Sequence, residues 1–317
     1  KIMQKRSLGK SGISIAPLMF GGNVFGWTAD EATSFKLLDA FVAAGFDAID
    51  TADVYSKWVP GHKGGESEAI LGKWLKARGR RDKVVIATKV GMEMPGIGQG
   101  LRRDYILARV EDSLKRLQTD YIDLYQSHTD DKAAPLDETL AAYAKLVEQG
   151  KVRAIGASNY EAPRLAEALK TSAAKGLPRY ETLQPLYNLA DRADFEKALQ
   201  PLCVKEGIGV IPYYSLASGF LTGKYRSDAD LGKSPRGARA KGYLNDRGRR
   251  ILAALDAVSA RLEAKPGQVA LAWLMTRPAV VAPIASATSL AQLEEMLGAA
   301  RLKLDADAVK QLDAASA

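Results

Sequence analysis

Short apolar segments alternate with amphipathic ones along the whole chain, and this alternation limits the possible folds more than any other feature. Three of the apolar segments, 46–50, 84–89 and 121–128, each end in a single polar residue, namely Asp50, Lys89 and His128. The carboxyl ends of parallel strands meet at one face of a barrel or sheet, so we expect these residues to converge on one pocket.

The sequence predicts eight strands, at residues 18–21, 46–49, 84–89, 121–128, 152–157, 182–186, 208–213 and 280–284. Helical periodicity predicts helices at 30–44, 66–77, 103–117, 137–148, 162–174, 194–206, 246–263, 289–298 and 305–315. Because no Pro/Ser-rich linker interrupts this rhythm, we predict an α/β fold, a single (β/α)8 TIM barrel domain over residues 1–317. A β-hairpin within residues 5–17 and a long loop after strand seven, at 221–244, complete the prediction.

Composition narrows the class of protein. The 317 residues are 47% hydrophobic and 26% charged, as in ordinary globular proteins. No apolar run reaches the roughly 18 residues of a membrane span, so we expect no membrane partner. The net charge of +8 is spread along helices beside acidic residues, which favours an anionic cofactor or substrate over nucleic acid. The single cysteine, Cys203, and the lack of a signal peptide predict a cytoplasmic location.

Four polar residues near strand ends suggest proton chemistry: Asp50, Tyr55, Lys89 and His128. A lysine at the tip of a buried strand needs a partner, and Asp50 on the adjacent strand is the obvious one. We expect the ammonium to lower the pKa of Tyr55 from its ordinary value of about 10. With His128 orienting a carbonyl oxygen, such a site suits carbonyl reduction if a hydride source lies alongside.

Other candidate motifs do not match known binding sites, because their spacing or their number of ligands is wrong. The segment from Gly219 to Lys224 has three residues between its glycines instead of four, so it does not match a triphosphate-binding loop. Two histidines and one cysteine provide no zinc cluster. We therefore expect no metal, and we expect His62 to be a solvent-exposed loop residue.

Several motifs carry a resemblance to a known family: RSLGKSG at 6–12, FDAIDTADVY at 46–55, GESE at 65–68, ATK at 87–89, YIDLYQSH at 121–128, IGASN at 155–159 and GFLTGKY at 219–225. With these motifs the chain resembles the aldo-keto reductase family along nearly its full length. It is most similar to the bacterial members related to the potassium-channel β subunits.

The resemblance implies an NAD(P)-dependent oxidoreductase that interconverts an aldehyde or ketone and an alcohol. It implies the tetrad Asp50, Tyr55, Lys89 and His128, with Tyr55 as general acid or base. The implied nicotinamide contacts are Ser158, Asn159 and Gln184, with Tyr213 stacked on the ring. The implied pyrophosphate contacts are Leu216, Ser218, Gly219 and Lys224. Candidates for the substrate wall are Trp27, Lys57 and Trp58.

The adenosine end departs from the family pattern. Ser286, Gln292 and Glu295 match it, but Thr288 stands where a basic residue commonly grips the 2′-phosphate, and Met296 replaces a frequent asparagine. Loss of a charge-assisted contact reduces the preference for NADP(H) over NAD(H). NADP(H) stays the favoured cofactor, and NAD(H) is possible. Arg236 or Arg239 in the long loop are candidates to restore the contact.

Two other functions remain as alternatives. Lys89 as a Schiff-base lysine would make the barrel an aldolase or lyase, although pairing with Asp50 argues against an uncharged amine. The similarity to channel β subunits also allows a cofactor-sensing regulatory subunit. A small-molecule carbonyl or alcohol is the expected partner, and the sequence sets neither the substrate nor the oligomeric state.

Overall fold

The computed structural model describes residues 3–317, and a parallel eight-stranded sheet lies at its centre. Two short antiparallel strands, β1 (Arg6–Ser7) and β2 (Ser14–Ile15), form the hairpin that precedes the sheet. The sheet strands are β3 (Met19–Gly21), β4 (Ala48–Asp50), β5 (Val85–Val90), β6 (Ile122–Ser127), β7 (Val152–Ser158), β8 (Tyr180–Gln184), β9 (Gly209–Val210) and β10 (Ile284–Ala285).

Helices connect successive strands and cover the outside of the sheet. They are α1 (Glu31–Ala43), α2 (Glu66–Arg78), α3 (Arg103–Leu117), α4 (Leu136–Glu148), α5 (Ala162–Lys175), α6 (Gln200–Glu206), α7 (Gly237–Ala240), α8 (Asp246–Leu262), α9 (Pro266–Met275), α10 (Leu290–Gly298) and α11 (Ala306–Ala315). Polar side chains begin several of them: Asp30 accepts from Thr33 N at α1, and Ser289 caps α10 in the same way. Within residues 3–317, no helix is long and apolar enough to cross a bilayer.

The strand order is β10-β3-β4-β5-β6-β7-β8-β9, with every neighbouring pair parallel. Backbone hydrogen bonds also join the two ends of this order: Val281 N donates to Val210 O at 2.8 Å, and Ile284 N donates to Pro212 O at 3.0 Å. Eight parallel strands that curl in this way, with helices outside, are consistent with a (β/α)8 barrel.

Side-chain alternation sets the inner face of the sheet. Ala48, Ala87 and Leu124 belong to a buried apolar cluster, and each lies two residues before Asp50, Lys89 or Gln126 on the same strand. Because side chains on a strand alternate between faces, these polar residues form the next layer above the apolar one. The fold therefore places a polar layer at the carboxyl ends of the strands.

The structure differs from the predicted elements in the last third of the chain. The eighth strand is Ile284–Ala285, whereas residues 280–284 were predicted. Val280 forms only an isolated bridge with Val210, and Val281 N donates to Val210 O without extending this pairing into a strand. Helix α9 was not predicted; it is apolar nearly all round and buried, so it lacks the periodic polar face that marks a helix in sequence. The 221–244 segment, predicted to be irregular, contains α7 and short 3-10 turns.

Candidate active site

A buried polar layer lies where β4, β5, β6 and β8 end. Lys89 Nζ is 2.7 Å from Asp50 Oδ2 and also donates to Thr51 O at 2.8 Å. The other carboxylate oxygen of Asp50 accepts from Gln126 Nε2 and from Gln184 Nε2, each at 3.1 Å. Asp50 and Lys89 are nearly inaccessible to solvent, and Thr51 O, Gln126 and Gln184 hold this buried ion pair in place.

Gln126 was not predicted as part of the site, although its position in the sequence could have identified it. It lies two residues after Leu124 and two before His128, on the inward-facing register of β6. Its side-chain oxygen also accepts from Gln184 Nε2 at 2.8 Å. A polar residue at an inward position near a strand end is expected to face the site.

Tyr55 extends from the loop after β4 to Lys89, whose Nζ donates to the phenol oxygen at 3.0 Å. Burial raises the pKa of Tyr55 above its ordinary value, and the positive charge of Lys89 opposes that shift only in part. The expectation that Lys89 brings this pKa below 10 is therefore wrong. The phenol is protonated at neutral pH, which is the state that a proton donor needs.

Lys89 keeps its charge in this environment. Burial alone would lower its pKa, but the nearby Asp50 carboxylate and Tyr55 phenol raise the pKa above the ordinary lysine value. The three protons of the ammonium are donated to Asp50, Thr51 O and Tyr55. A charged ammonium with all three donors used is unsuited to Schiff-base formation.

His128 lies beside Tyr55, with the two ring centroids 6.0 Å apart. Burial and then the positive charges of Lys89 and Lys57 hold the pKa of His128 well below its ordinary value. The imidazole is therefore neutral at pH 7, and its Nδ1 has no hydrogen-bond partner within residues 3–317. A neutral imidazole has one N–H to donate, which suits it to orient a carbonyl oxygen next to the Tyr55 phenol.

The residues predicted to hold a nicotinamide lie next to this layer. Asn159 Nδ2 donates to His128 O at 2.9 Å, and Tyr213 OH donates to Asn159 Oδ1 at 2.7 Å. Ser158 Oγ donates to Gln184 O at 2.9 Å. The structure thus brings Ser158, Asn159, Gln184 and Tyr213 together on the β7–β9 side of the Asp50–Lys89 pair.

The loop after β9 has an unusual backbone. Tyr214, Ala217 and Ser218 have φ values of 52, 52 and 56°, and Gly219 follows at 93°. Left-handed conformations cost energy in non-glycine residues and often occur in ligand-binding segments. The Lys224 side chain lies over Gly219, since a Cβ at Gly219 would come within 2.8 Å of its Cε. Leu216, half-buried, lies in the same turn and accepts from Gly219 N at 3.0 Å.

Arg236 reaches from the 221–244 segment to the loop after β3. With the Asn23 amide oxygen facing it, Arg236 Nη2 donates to Asn23 at 2.7 Å, and Asn23 donates to Ser286 Oγ at 2.8 Å. The guanidinium also lies 5.3 Å from the Trp27 ring centroid. No carboxylate among residues 3–317 pairs with Arg236, and burial lowers its pKa. Asn23 was not predicted, because only the fold brings it next to a residue 263 positions away.

The remaining residues of the predicted adenosine end lie just before α10 and within it. Thr288 N and Oγ1 both donate to Gln292 Oε1 at 2.9 Å. Glu295 Oε1 is 3.7 Å from Lys265 Nζ. Thr288 thus occupies the predicted place of a basic residue without bringing a positive charge there.

Aromatic side chains surround Tyr55 on the solvent side. The Trp58 ring lies 5.7 Å from Tyr55 and 5.6 Å from Trp27, centroid to centroid. Lys57 Nζ donates to Glu93 O at 2.8 Å. We call this opening, bordered by Trp27, Lys57, Trp58 and Tyr214, the mouth of the site. His62 is half-buried and its Nδ1 is 3.3 Å from Ser56 O, so the expectation of an exposed His62 is wrong.

Asp53 is a buried carboxyl that the sequence did not single out. Neither of its side-chain oxygens has a hydrogen-bond partner within residues 3–317. Its burial and the nearby Glu68 raise its pKa to about 8. Glu68 itself accepts from Arg116 Nε at 2.8 Å and from Thr88 Oγ1 at 2.7 Å. Asp53 therefore carries a proton across most of the neutral range.

Asp53→Asn tests this assignment. A folded pKa of about 8 lies above the unfolded value, so the wild-type protein loses stability as pH rises between the two. We expect the variant to gain stability over wild type with rising pH, by up to roughly 5 kcal/mol at pH 9. Urea unfolding at several pH values measures this, with Asp82→Asn, at an exposed aspartate, as control. A stability difference that is constant with pH would contradict the assignment.

No group of three or more His, Cys, Asp or Glu side chains in residues 3–317 is placed to hold a metal ion.

Comparison with protein families agrees with this geometry. A model described as the aldo/keto reductase family matches residues 17–317. The chain is 34% identical to an uncharacterized oxidoreductase, YrpG, of Bacillus subtilis, with 98% of this chain and 95% of the relative covered.

Two further relatives have names that describe different functions. A probable voltage-gated potassium channel subunit beta of Arabidopsis thaliana is 32% identical over 94% of this chain and 91% of its own length. An aryl-alcohol dehydrogenase [NADP(+)] of Phanerodontia chrysosporium is 32% identical over 95% of this chain and 83% of its own length.

Proposed function

The chain belongs to the aldo/keto reductase family, and from this premise we propose that it is a nicotinamide-dependent oxidoreductase acting on an aldehyde or ketone. The observation that carries the proposal is the Tyr55 phenol within 3.0 Å of a buried ammonium that is itself paired with Asp50. We also propose that the chain forms one barrel domain with this single active site.

The roles of the four central residues follow from their contacts. Tyr55, protonated at neutral pH, gives its proton to the carbonyl oxygen during reduction and takes one back during oxidation. Lys89 stabilises the phenolate that remains, and Asp50 keeps Lys89 charged and oriented. Neutral His128 donates a hydrogen bond that orients the carbonyl oxygen toward the phenol. A nicotinamide cofactor, when bound, supplies or accepts the hydride.

The residues around the tetrad fit such a cofactor. Ser158, Asn159 and Gln184 present amide and hydroxyl groups suited to a carboxamide, and Tyr213 provides an adjacent ring. The strained turn at 214–219, with Lys224 over Gly219, is suited to a pyrophosphate, because backbone N–H groups and a lysine bind phosphate oxygens. Ser286, Gln292 and Glu295 would hold the adenosine end.

Arg236 is the residue that we assign to the 2′-phosphate of NADP(H). It is a half-buried cation that contacts Asn23, which in turn contacts Ser286 at the adenosine end. A desolvated guanidinium without a carboxylate partner gains strongly from a phosphate. Arg236 thus replaces the basic residue that Thr288 does not supply, which favours NADP(H) and leaves NAD(H) possible.

We expect wild-type protein to bind NADPH more tightly than NADH in fluorescence titrations. Arg236→Met should weaken NADPH binding roughly 10- to 100-fold and NADH binding much less, because a charge-assisted contact contributes roughly 1.5–3 kcal/mol. Arg239→Met is the matched control, since Arg239 donates to Tyr214 OH and has no hydrogen bond to Asn23 among the described residues. If neither cofactor binds at micromolar levels, the hydride chemistry is wrong. An equal loss for both cofactors would contradict the role of Arg236.

A lyase that uses Lys89 as a Schiff-base amine is less well supported. All three protons of Lys89 are engaged, and its pKa is raised by its neighbours. Such a mechanism needs an uncharged amine.

A further inference from the structure

We propose that the mouth of the site binds the carboxylate of an anionic substrate through Lys57, so that aldehydes and ketones bearing a carboxylate are preferred. This inference rests on the proposed function, because it assumes that the carbonyl group is reduced next to Tyr55.

Lys57 has a position and contacts suited to an anion. It follows Tyr55 by two residues in a run of tight turns, where Lys57 N donates to Val54 O at 2.9 Å. Its side chain is half-buried, and among the described residues its ammonium donates one hydrogen bond, to Glu93 O. Within residues 3–317, no carboxylate lies within ion-pair distance of Lys57. An ammonium has three donors, so two remain for a ligand.

The charge of Lys57 acts on the reacting groups. It is one of the charges that hold the pKa of His128 below its ordinary value. Lys57 also lies two residues after Tyr55, whose ring centroid is 6.0 Å from that of His128, so an anion on Lys57 would lie beside the pair that is proposed to bind the carbonyl oxygen. A carboxylate and a carbonyl carried by one small molecule can occupy these two places together.

The local charge balance also favours an anion. Asp50 is compensated by Lys89 at 2.7 Å. Arg239 Nη1 donates to Tyr214 OH at 3.1 Å, and within residues 3–317 this arginine has no carboxylate partner either. Unpaired cations that converge on a cleft raise the local concentration of anionic ligands.

The aromatic border indicates the body of the substrate. Trp58 and Tyr214 are 44% and 43% exposed, which is high for such large side chains, and Trp58 contacts both Tyr55 and Trp27. Flat, partly exposed rings provide apolar surface for a ring or a short carbon chain. Together with Lys57, they fit an aromatic aldehyde that carries a carboxylate.

The test compares reduction of para-formylbenzoate with that of its methyl ester, which has nearly the same shape and no charge. We expect wild type to prefer the acid in kcat/KM. Lys57→Met should lower kcat/KM for the acid about tenfold and leave the ester within about twofold, because only the acid loses a charge-assisted contact. Lys57→Arg should keep most of the preference. Lys63→Met, at an exposed lysine of the same loop, is the matched control and should not change it.

An acid-to-ester ratio that is the same in wild type and Lys57→Met would overturn the inference while the reductase function stands. If neither compound is reduced, the proposed function fails. Calorimetric binding of para-hydroxymethylbenzoate then tests the anion site independently of any reduction. Binding that is lost in Lys57→Met and kept in Lys63→Met supports the anion site. Absent binding, or binding unaffected by Lys57→Met, overturns it.

Discussion

Replacing Tyr55 by phenylalanine is expected to lower kcat about a thousandfold or more, in line with the usual contribution of a general acid, while cofactor affinity stays within about twofold. The substitution removes a single oxygen, the one that accepts from Lys89 Nζ at 3.0 Å. The ring and its contacts with Trp58 and His128 remain. Steady-state kinetics with an aldehyde, together with fluorescence titration of NADPH, separates the two effects.

Tyr214→Phe is the control for this variant. Tyr214 presents a second phenol at the mouth, but its hydroxyl contacts Arg239 and makes no contact with Lys89. We expect its turnover to stay within a few-fold of wild type. Wild-type turnover in Tyr55→Phe, or a large loss in Tyr214→Phe, would mean that the proton comes from elsewhere.

Replacing Lys89 by methionine is expected to lower both stability and turnover. The change leaves the Asp50 carboxylate buried without its ammonium partner, and breaking a buried pair in this way costs roughly 3–5 kcal/mol. Turnover should fall with it, because the phenolate of Tyr55 loses the charge that stabilises it. Urea unfolding measures the first effect and steady-state kinetics measures the second.

The double variant Lys89→Met with Asp50→Asn separates stability from catalysis. Removing the unpaired carboxylate should restore part of the lost stability without restoring turnover, which a double-mutant cycle detects as coupling. Lys73→Met, which breaks the exposed pair with Glu31, should cost less than about 1 kcal/mol. If the double variant is as unstable as the sum of the two single changes, Lys89 and Asp50 are not energetically coupled.

The sequence predicted the part of the fold that depends on local pattern. Strands such as Val85–Val90 and helices such as Arg103–Leu117 follow from apolar runs and amphipathic periodicity. The convergence of Asp50 and Lys89 follows from their positions at the ends of adjacent parallel strands. Helix Pro266–Met275 escaped prediction because a helix buried on all sides has no polar stripe.

Features that depend on contacts distant in sequence were not predictable. Arg236 reaches Asn23, more than 200 residues earlier in the chain, and no local pattern records this contact. The direction of the pKa shift of Tyr55 was predicted wrongly, because the sequence shows the nearby lysine but not the extent of burial. The Asp53 carboxyl without hydrogen-bond partners was not predictable for the same reason, since its burial and its missing hydrogen bonds appear only in the folded chain.

The central claim is that a hydride passes from a nicotinamide to a carbonyl carbon while Tyr55 supplies the proton. The most direct measurement is mass spectrometry of the alcohol formed from an aldehyde by wild type and Tyr55→Phe, with NADPH that carries deuterium at the transferable position. The account predicts one deuterium on the carbinol carbon with wild type, and almost no alcohol with Tyr55→Phe under the same conditions. Alcohol without deuterium, or equal deuterated product from both proteins, would contradict it.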